Sequence, residues 1–310
     1  MTAIDHRSST LRVERGRSLG GTLATYVALT KPRIIELLLV TTVPTMILAA
    51  GGLPPASLVL ATLVGGSLAA ASANVLNCVY DRDIDRLMHR TQRRPLATGA
   101  VSVRSALLFG LVLGAASFAW LALAVNTLSA VLAGAAIAFY VLVYTMWLKR
   151  RTPQNIVWGG AAGCMPVLVG WAAVTDSLAL APWVLFGVVF LWTPPHYWPL
   201  SLKFRRDYAS AGVPMLPVVR SAGQVAGQIV AYSWAMVGMS LLLWPVAHTS
   251  WFYPSVAGLA GGAFLLEAYG LRARVARGDA DPRPMRLFHG SITYLAVLFL
   301  AVALDPLLHL

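Results

Sequence analysis

Beyond residue 30 the chain alternates between apolar stretches of about 20 residues, almost free of charge, and short polar or basic connections. A helix of that length satisfies its own backbone hydrogen bonds while crossing a hydrocarbon core of roughly 30 Å. Nine such stretches run near 34–52, 56–80, 103–124, 127–147, 155–175, 181–202, 226–247, 252–271 and 288–307. The pattern predicts an all-α polytopic membrane protein with nine transmembrane helices in one bundle, formed by a single domain over residues 26–310. Residues 1–25 are rich in Arg and Ser and have no apolar run of their own. They read as a basic, disordered cytoplasmic tail and not as a secretory signal.

Composition agrees with the pattern: 58% of residues are apolar and 12% charged, and the mean hydropathy is +0.70, far outside the range of soluble domains. Charge adds an orientation. All 24 Lys and Arg fall in the tail, at the start of the first segment, or in the connections after segments two, four, six and eight, counting Arg104 at the very start of segment three with the connection before it. The intervening connections, around residues 51, 126, 175 and 248, carry none. Basic loops stay in the cytoplasm, so the N-terminus is expected inside and, after nine crossings, the C-terminus outside. The formal net charge of +12 is then an insertion signal, and nucleic-acid binding is not needed to explain it. Cys78 and Cys164 both lie within proposed helices, which argues against a disulfide framework or a cysteine metal site. The spacing shows no glycine-rich nucleotide loop, paired His or Cys zinc site, or Ser/His/Asp arrangement.

Candidate chemistry gathers on the basic side. Asn77, Asp81 and Asp85 recur at i, i+4 and i+8, so on a helix they rise along one face with about 40° of drift per step. Asp83 points elsewhere. Acids this close repel one another unless a cation stands between them. Arg90, Arg93 and Arg94 follow in a loop broken by Pro95 and Gly99. At the end of segment four, Tyr140, Tyr144 and Trp147 precede the basic run Lys149, Arg150 and Arg151. Gln154 and Asn155 then carry amides into the bilayer, where they need a partner or a polar cavity. Segment six holds Pro194, Pro195 and Pro199, which free backbone carbonyls and favour a kink facing a cavity. His196 lies among them, and Lys203 and Asp207 follow, four apart on one helical face. Glu36 is expected to pair with Lys31 or Arg33, and Glu267 with Arg272 and Arg274. Asp81, Asp85 and Asp207, ringed by cations at the mouth of an apolar interior, suit a Mg²⁺-bound diphosphate head on an apolar tail, that is, a prenyl diphosphate. Metal and guanidinium groups would stabilise the departing diphosphate, and apolar and aromatic walls would keep water from an allylic cation.

The same segments are similar to a known family. NxxxDxxxD at Asn77, Asp81 and Asp85, followed by TQRRPLATG, resembles the first aspartate motif and loop of the UbiA superfamily of intramembrane prenyltransferases. YTMWLKRRTPQNIVWGGAAG, LWTPPHYW and DYASAGVPMLPVV resemble its heme-farnesylating branch, and the similarity runs from about residue 27 to 305. The resemblance implies nine helices around a central cavity, Mg²⁺ as cofactor, and farnesyl diphosphate and heme B as substrates. Farnesyl would join a vinyl group of heme B and water would add, giving heme O and diphosphate. By motif, Asn77, Asp81, Asp85 and Asp207 would be catalytic, with Asp81, Asp85 and Asp207 holding metal. Arg94, Lys149, Arg150 and Lys203 would clamp the diphosphate, and His196 would contact heme, with His89 as its rival. A multi-pass place in the cell (inner) membrane, a site facing the cytoplasm, and a downstream heme-modifying membrane enzyme as partner are also implied.

One position departs from the family. Its second motif often reads DxxxD, but here Arg206 precedes Asp207 and Ala211 stands four after it, so Asp207 has to act with Lys203 in place of a second acid. Two other functions compete: a superfamily enzyme acting on a quinone-precursor acid or a chlorophyll-like ring, and a transporter of an anionic amphiphile. The scarcity of charged and amide side chains at mid-depth and on the far side disfavours transport.

Overall fold

The computed structural model describes residues 19–308, with the backbone alone for residues 19 and 33–39. The side chains of Arg33 and Glu36, and residues 1–18 of the expected tail, lie outside the described residues. The chain forms α1 (Leu19–Thr30), α2 (Pro32–Ala50), α3 (Ala56–Leu87), α4 (Val103–Ala124), α5 (Thr127–Ala138), α6 (Asn155–Thr175), α7 (Leu180–Lys203), α8 (Arg205–Ser210), α9 (Leu216–Val219), α10 (Ala222–Ala247), α11 (Phe252–Ala276) and α12 (Pro284–Leu307). No strand occurs among the described residues. Six helices, α3, α4, α5 with its continuation to Leu148, α6, α10 and α12, are long and apolar enough to cross a membrane. The chain is therefore a multi-pass membrane protein.

Local chemistry explains where the helices start and stop. α2 begins with Pro32 and ends at Gly51, whose φ of 62° lets its N–H reach back to Leu48 O at 3.2 Å. α10 opens with a capping box made by Ser221 and Gln224. α3 and α4 lie close because small residues line their contact. Ser72 Oγ donates to Gly110 O and Ser117 Oγ to Gly65 O, both at 2.7 Å, and a Cβ on Gly110 would stand 2.9 Å from Leu76. The largest apolar core runs through α6, α7 and α10–α12 and contains the fully buried Trp198, Tyr253 and Phe299.

Three features differ from the hydropathy pattern. The expected tail reached residue 25, yet the chain is helical from Leu19. The apolar side of α1 has a surface to cover: Leu29 is buried with Val75, Cys78 and Leu96, and Tyr26 meets Phe109 edge-on at 5.1 Å. α3 continues to Leu87 instead of stopping near 80, because cations from other elements neutralise the acids on its last turns. α7 ends at Lys203 and α8 restarts at Arg205, with Phe204 outside helical geometry at φ −104° and ψ 26°. The helical register expected to join Lys203 to Asp207 is thus interrupted.

Candidate functional site

α3 carries Asn77, Asp81 and Asp85 on one buried face, and Asp83 stands exposed on another. Asp81 is fully buried. Its Oδ2 accepts from Asn77 Nδ2 at 2.7 Å and from Lys149 Nζ. Arg150 Nη2 lies 3.7 Å from Oδ1, but that oxygen has no hydrogen-bond partner. Asp85 receives Arg94 Nη1 on both oxygens at 2.9 Å. Asn77 is held from both sides, accepting from Lys31 Nζ at 2.9 Å and donating to Thr145 Oγ at 3.1 Å. Burial above all, and the charges of Arg94 and Lys149, lower the Lys31 ammonium from its ordinary pKa.

The partners come from the end of the α5 segment. After Ala138, α5 continues as a π-helix over Phe139–Leu148. Its wider turn shows in the bonds of Lys149 N–H to Tyr144 O at 2.9 Å and of Thr145 Oγ to Tyr140 O at 2.8 Å. Thr145 and Lys149, four apart here, meet Asn77 and Asp81, themselves four apart on α3. Gly159 on α6 makes room for this: a Cβ there would run into the Tyr144 ring. Arg150 forks onto Asp83 with two bonds of 2.7 Å and lies 4.8 Å over the Tyr80 ring, so its guanidinium is anchored beside Asp81. Asn155 is buried and donates to Thr152 O at 2.8 Å, while Gln154 Oε1 is buried without a partner.

The loop after α3 ties this cluster to Asp207. Arg90 N–H donates to Asp207 Oδ2 at 3.2 Å, and Arg90 Nη2 donates to Tyr208, whose hydroxyl lies 3.0 Å from that of Tyr197. Burial first, and the Tyr197 hydroxyl beside it, push the Tyr208 phenol above its usual range. Beneath these contacts Ile84, Met88, Ile156 and Met215 pack together. Lys203, by contrast, is exposed and forms no ion pair among the described residues. His89 is exposed in the loop.

His196 sits elsewhere, on α7. Its ring stacks between Trp192 (centroids 4.0 Å apart) and Phe288 (4.6 Å), and Nδ1 lies 2.7 Å from Ser291 Oγ on α12. Glu267 pairs with Arg274 at 2.7 Å as expected, and with Arg286 at 2.9 Å in place of Arg272.

An apolar cavity of about 150 Å³ opens among α3, α5 and α6. Ala69, Ala70, Ala73, Ile137, Met165 and Val169 line it, and Asn74 and Tyr140 place its polar end one turn from Asn77.

No three His, Cys, Asp or Glu side chains among the described residues converge on one ion-sized point. Mg²⁺ bound through substrate phosphates takes only one or two protein carboxylates. The buried, unpartnered Asp81 Oδ1, one turn from Asp85, fits such a shared ion rather than a closed protein cage.

Sequence reasoning placed Asn77, Asp81, Asp85, Arg94, Lys149 and Arg150 in one region, and the structure brings them together. It did not find Lys31 on Asn77, Thr145, Tyr197 or Ser291. Lys31 had an acid nearer in sequence, and the other three carry no charge to mark them.

Comparison with known proteins agrees with this geometry. Residues 38–292 match the profile of the UbiA prenyltransferase family. A Clavibacter sepedonicus protein named protoheme IX farnesyltransferase is 61% identical over 283 residues, covering 91% of this chain and 92% of its own. A Streptomyces coelicolor protein of the same name is 57% identical, covering 99% of this chain and 100% of its own. Among solved structures, a digeranylgeranylglyceryl phosphate synthase superposes with a TM-score of 0.74 at 16% identity, covering 92% of this chain and 98% of its own. A UbiA homolog from Archaeoglobus fulgidus bound to DMAPP and Mg²⁺ gives 0.62 at 19% identity, covering 90% and 99%. On the extent of the profile match and the identity to full-length relatives, the chain belongs to the UbiA prenyltransferase family.

Proposed function

We propose that the protein transfers the farnesyl group of farnesyl diphosphate to a vinyl group of heme B, with addition of water, giving heme O and diphosphate. The observation that carries the chemistry is Asp81: fully buried, held through one oxygen by Asn77 and Lys149, without a hydrogen bond on the other, and about two helical turns along α3 from Asn74, which lines the apolar cavity. The names of the relatives at about 60% identity support farnesyl as donor and heme as acceptor.

In this reading Asp81 and Asp85, with Asp207 on the other wall, anchor the metal that accompanies the diphosphate. Bound Mg²⁺ supplies charge neutralisation of the leaving group. Lys149, Arg94 and Arg150 turn from carboxylate to phosphate oxygens as that charge arrives, and Lys203 is drawn in from the surface. Asn77 holds the Asp81 carboxylate, and Lys31 and Thr145 hold Asn77. The C1–O bond breaks with its electron pair leaving on diphosphate, while the cavity walls and the Tyr140 ring exclude water from the allylic cation. The vinyl carbon then attacks C1, and water quenches the cation beside the porphyrin with loss of a proton. His196 contacts the heme iron. The basic side faces the cytoplasm, nine helices cross the membrane, residues 26–310 act as one domain, and the C-terminus lies outside. A downstream heme-modifying membrane enzyme is the natural recipient of a product too apolar to leave the bilayer.

Purified protein supplied with heme B, farnesyl diphosphate and Mg²⁺ is expected to yield a farnesylated, hydroxylated heme by mass spectrometry. Turnover of 4-hydroxybenzoate with heme left unchanged would move the acceptor to another branch. Movement of prenyl diphosphate across proteoliposomes without Mg²⁺ would favour a transporter.

A further inference from the structure

His196 is held by a short hydrogen-bond chain whose proton positions follow from chemistry. Ser291 Oγ lies 2.6 Å from the carbonyl oxygen of Phe288 and 2.7 Å from His196 Nδ1. A carbonyl only accepts, and a serine hydroxyl has one proton. Two oxygens at 2.6 Å with no proton between them would repel, so the Ser291 proton points at Phe288 O. The hydroxyl must then accept from His196, which places a proton on Nδ1. Neutral imidazole carries only one such proton, so Nε2 is left with a lone pair. Nε2 makes no hydrogen bond among the described residues and is not one of the fully enclosed unpartnered atoms, so its lone pair is not taken up by the protein.

The rest of the clamp is independent of that hydroxyl. Trp192, stacked on His196, donates its indole N–H to the backbone carbonyl of Ser291 at 2.8 Å. Phe288 covers the other face of the ring. One residue of α12 thus orients the imidazole through its side chain and the adjacent indole through its backbone.

We propose that Ser291 is a positioning residue: it fixes the Nδ1–H tautomer of His196, so that Nε2 presents its lone pair to the heme iron of the acceptor. This deepens the reading of His196 as the heme contact and rests on it. A hydrogen bond on Nδ1 also makes Nε2 a stronger donor to iron, and outer partners of this kind commonly govern metal affinity by 10-fold or more.

The test compares full-length wild type, Ser291→Ala, Ser291→Thr and His196→Ala, each titrated with heme B. Ser291→Ala removes only the hydroxyl and keeps the backbone bond to Trp192. In the ferrous state it is expected to lower the iron–histidine stretching frequency by resonance Raman. Heme binding should weaken about 10-fold, and KM for farnesyl diphosphate should stay at the wild-type value. Ser291→Thr, which restores the hydroxyl, is expected to recover the band. A wild-type band and heme affinity in Ser291→Ala would overturn the proposal. Persistence of the iron–histidine band in His196→Ala would instead overturn the heme-contact reading itself, so the two failures are distinguishable.

Discussion

Two buried aspartates at opposite ends of the bundle, Asp305 and Asp81, solve the same problem in different ways. Asp305, 3% exposed near the end of α12, accepts from Ser250 N–H at 2.9 Å, Ser250 Oγ at 2.5 Å and Tyr253 N–H at 3.3 Å. Its donors are neutral, mostly backbone, and belong to the turn that opens α11, where a helix N-terminus favours an anion. Asp81 is more deeply buried but depends on side chains, one amide and one ammonium, and leaves an oxygen unfilled. An acid satisfied by fixed backbone donors fastens one helix to another. In the proposed reading, an acid held by charged side chains, with spare acceptor capacity, exchanges partners when a ligand arrives.

Substitution at the two sites can break or sharpen that distinction. Asp81→Asn keeps the shape and the bond to Asn77 but removes the charge; it is expected to lower kcat by about 10³-fold with the thermal unfolding midpoint in detergent unchanged. A rate within 10-fold of wild type would erase the contrast. Lys149→Met should cost about 10²-fold in kcat/KM for the prenyl diphosphate, read in steady-state kinetics; loss of stability alone would make Lys149 a structural partner. Asp305→Asn is expected to act the other way, lowering unfolding free energy by about 2 kcal/mol while kcat per folded molecule stays within two-fold. The smallest effect is set for Thr145→Val, which removes one bond to Asn77 at a cost of about 1 kcal/mol. It should appear as a few-fold rise in KM for the diphosphate substrate.

Much of this contrast could be read before any coordinates. Asn77, Asp81 and Asp85 fall on one helical face by period, and Arg94 and Lys149 stand in loops that hydropathy sends to the same side. The fate of Lys203 could not be read, because the helical face it was to share with Asp207 ends at Phe204. Nor could the π-helix over Phe139–Leu148, since apolar residues on a lipid-facing helix fit either pitch equally well. Thr145 and Lys149 reach Asn77 and Asp81 from the end of that stretch.

By itself, the sequence determined the membrane class, the positions of the long helices, the side on which charge collects, and the family. Each of these depends on local composition or on motifs contiguous in the chain, and a bilayer turns local apolarity directly into topology. The tertiary structure decided which cation meets which acid. It also decided which Asp81 oxygen is left without a hydrogen bond, how far α3 extends beyond its apolar run, and which hydroxyl the His196 imidazole meets. Those outcomes depend on contacts such as Lys31 with Asn77 and His196 with Ser291, between residues far apart in the chain. Only packing brings such pairs within the 3 Å or so over which a hydrogen bond forms.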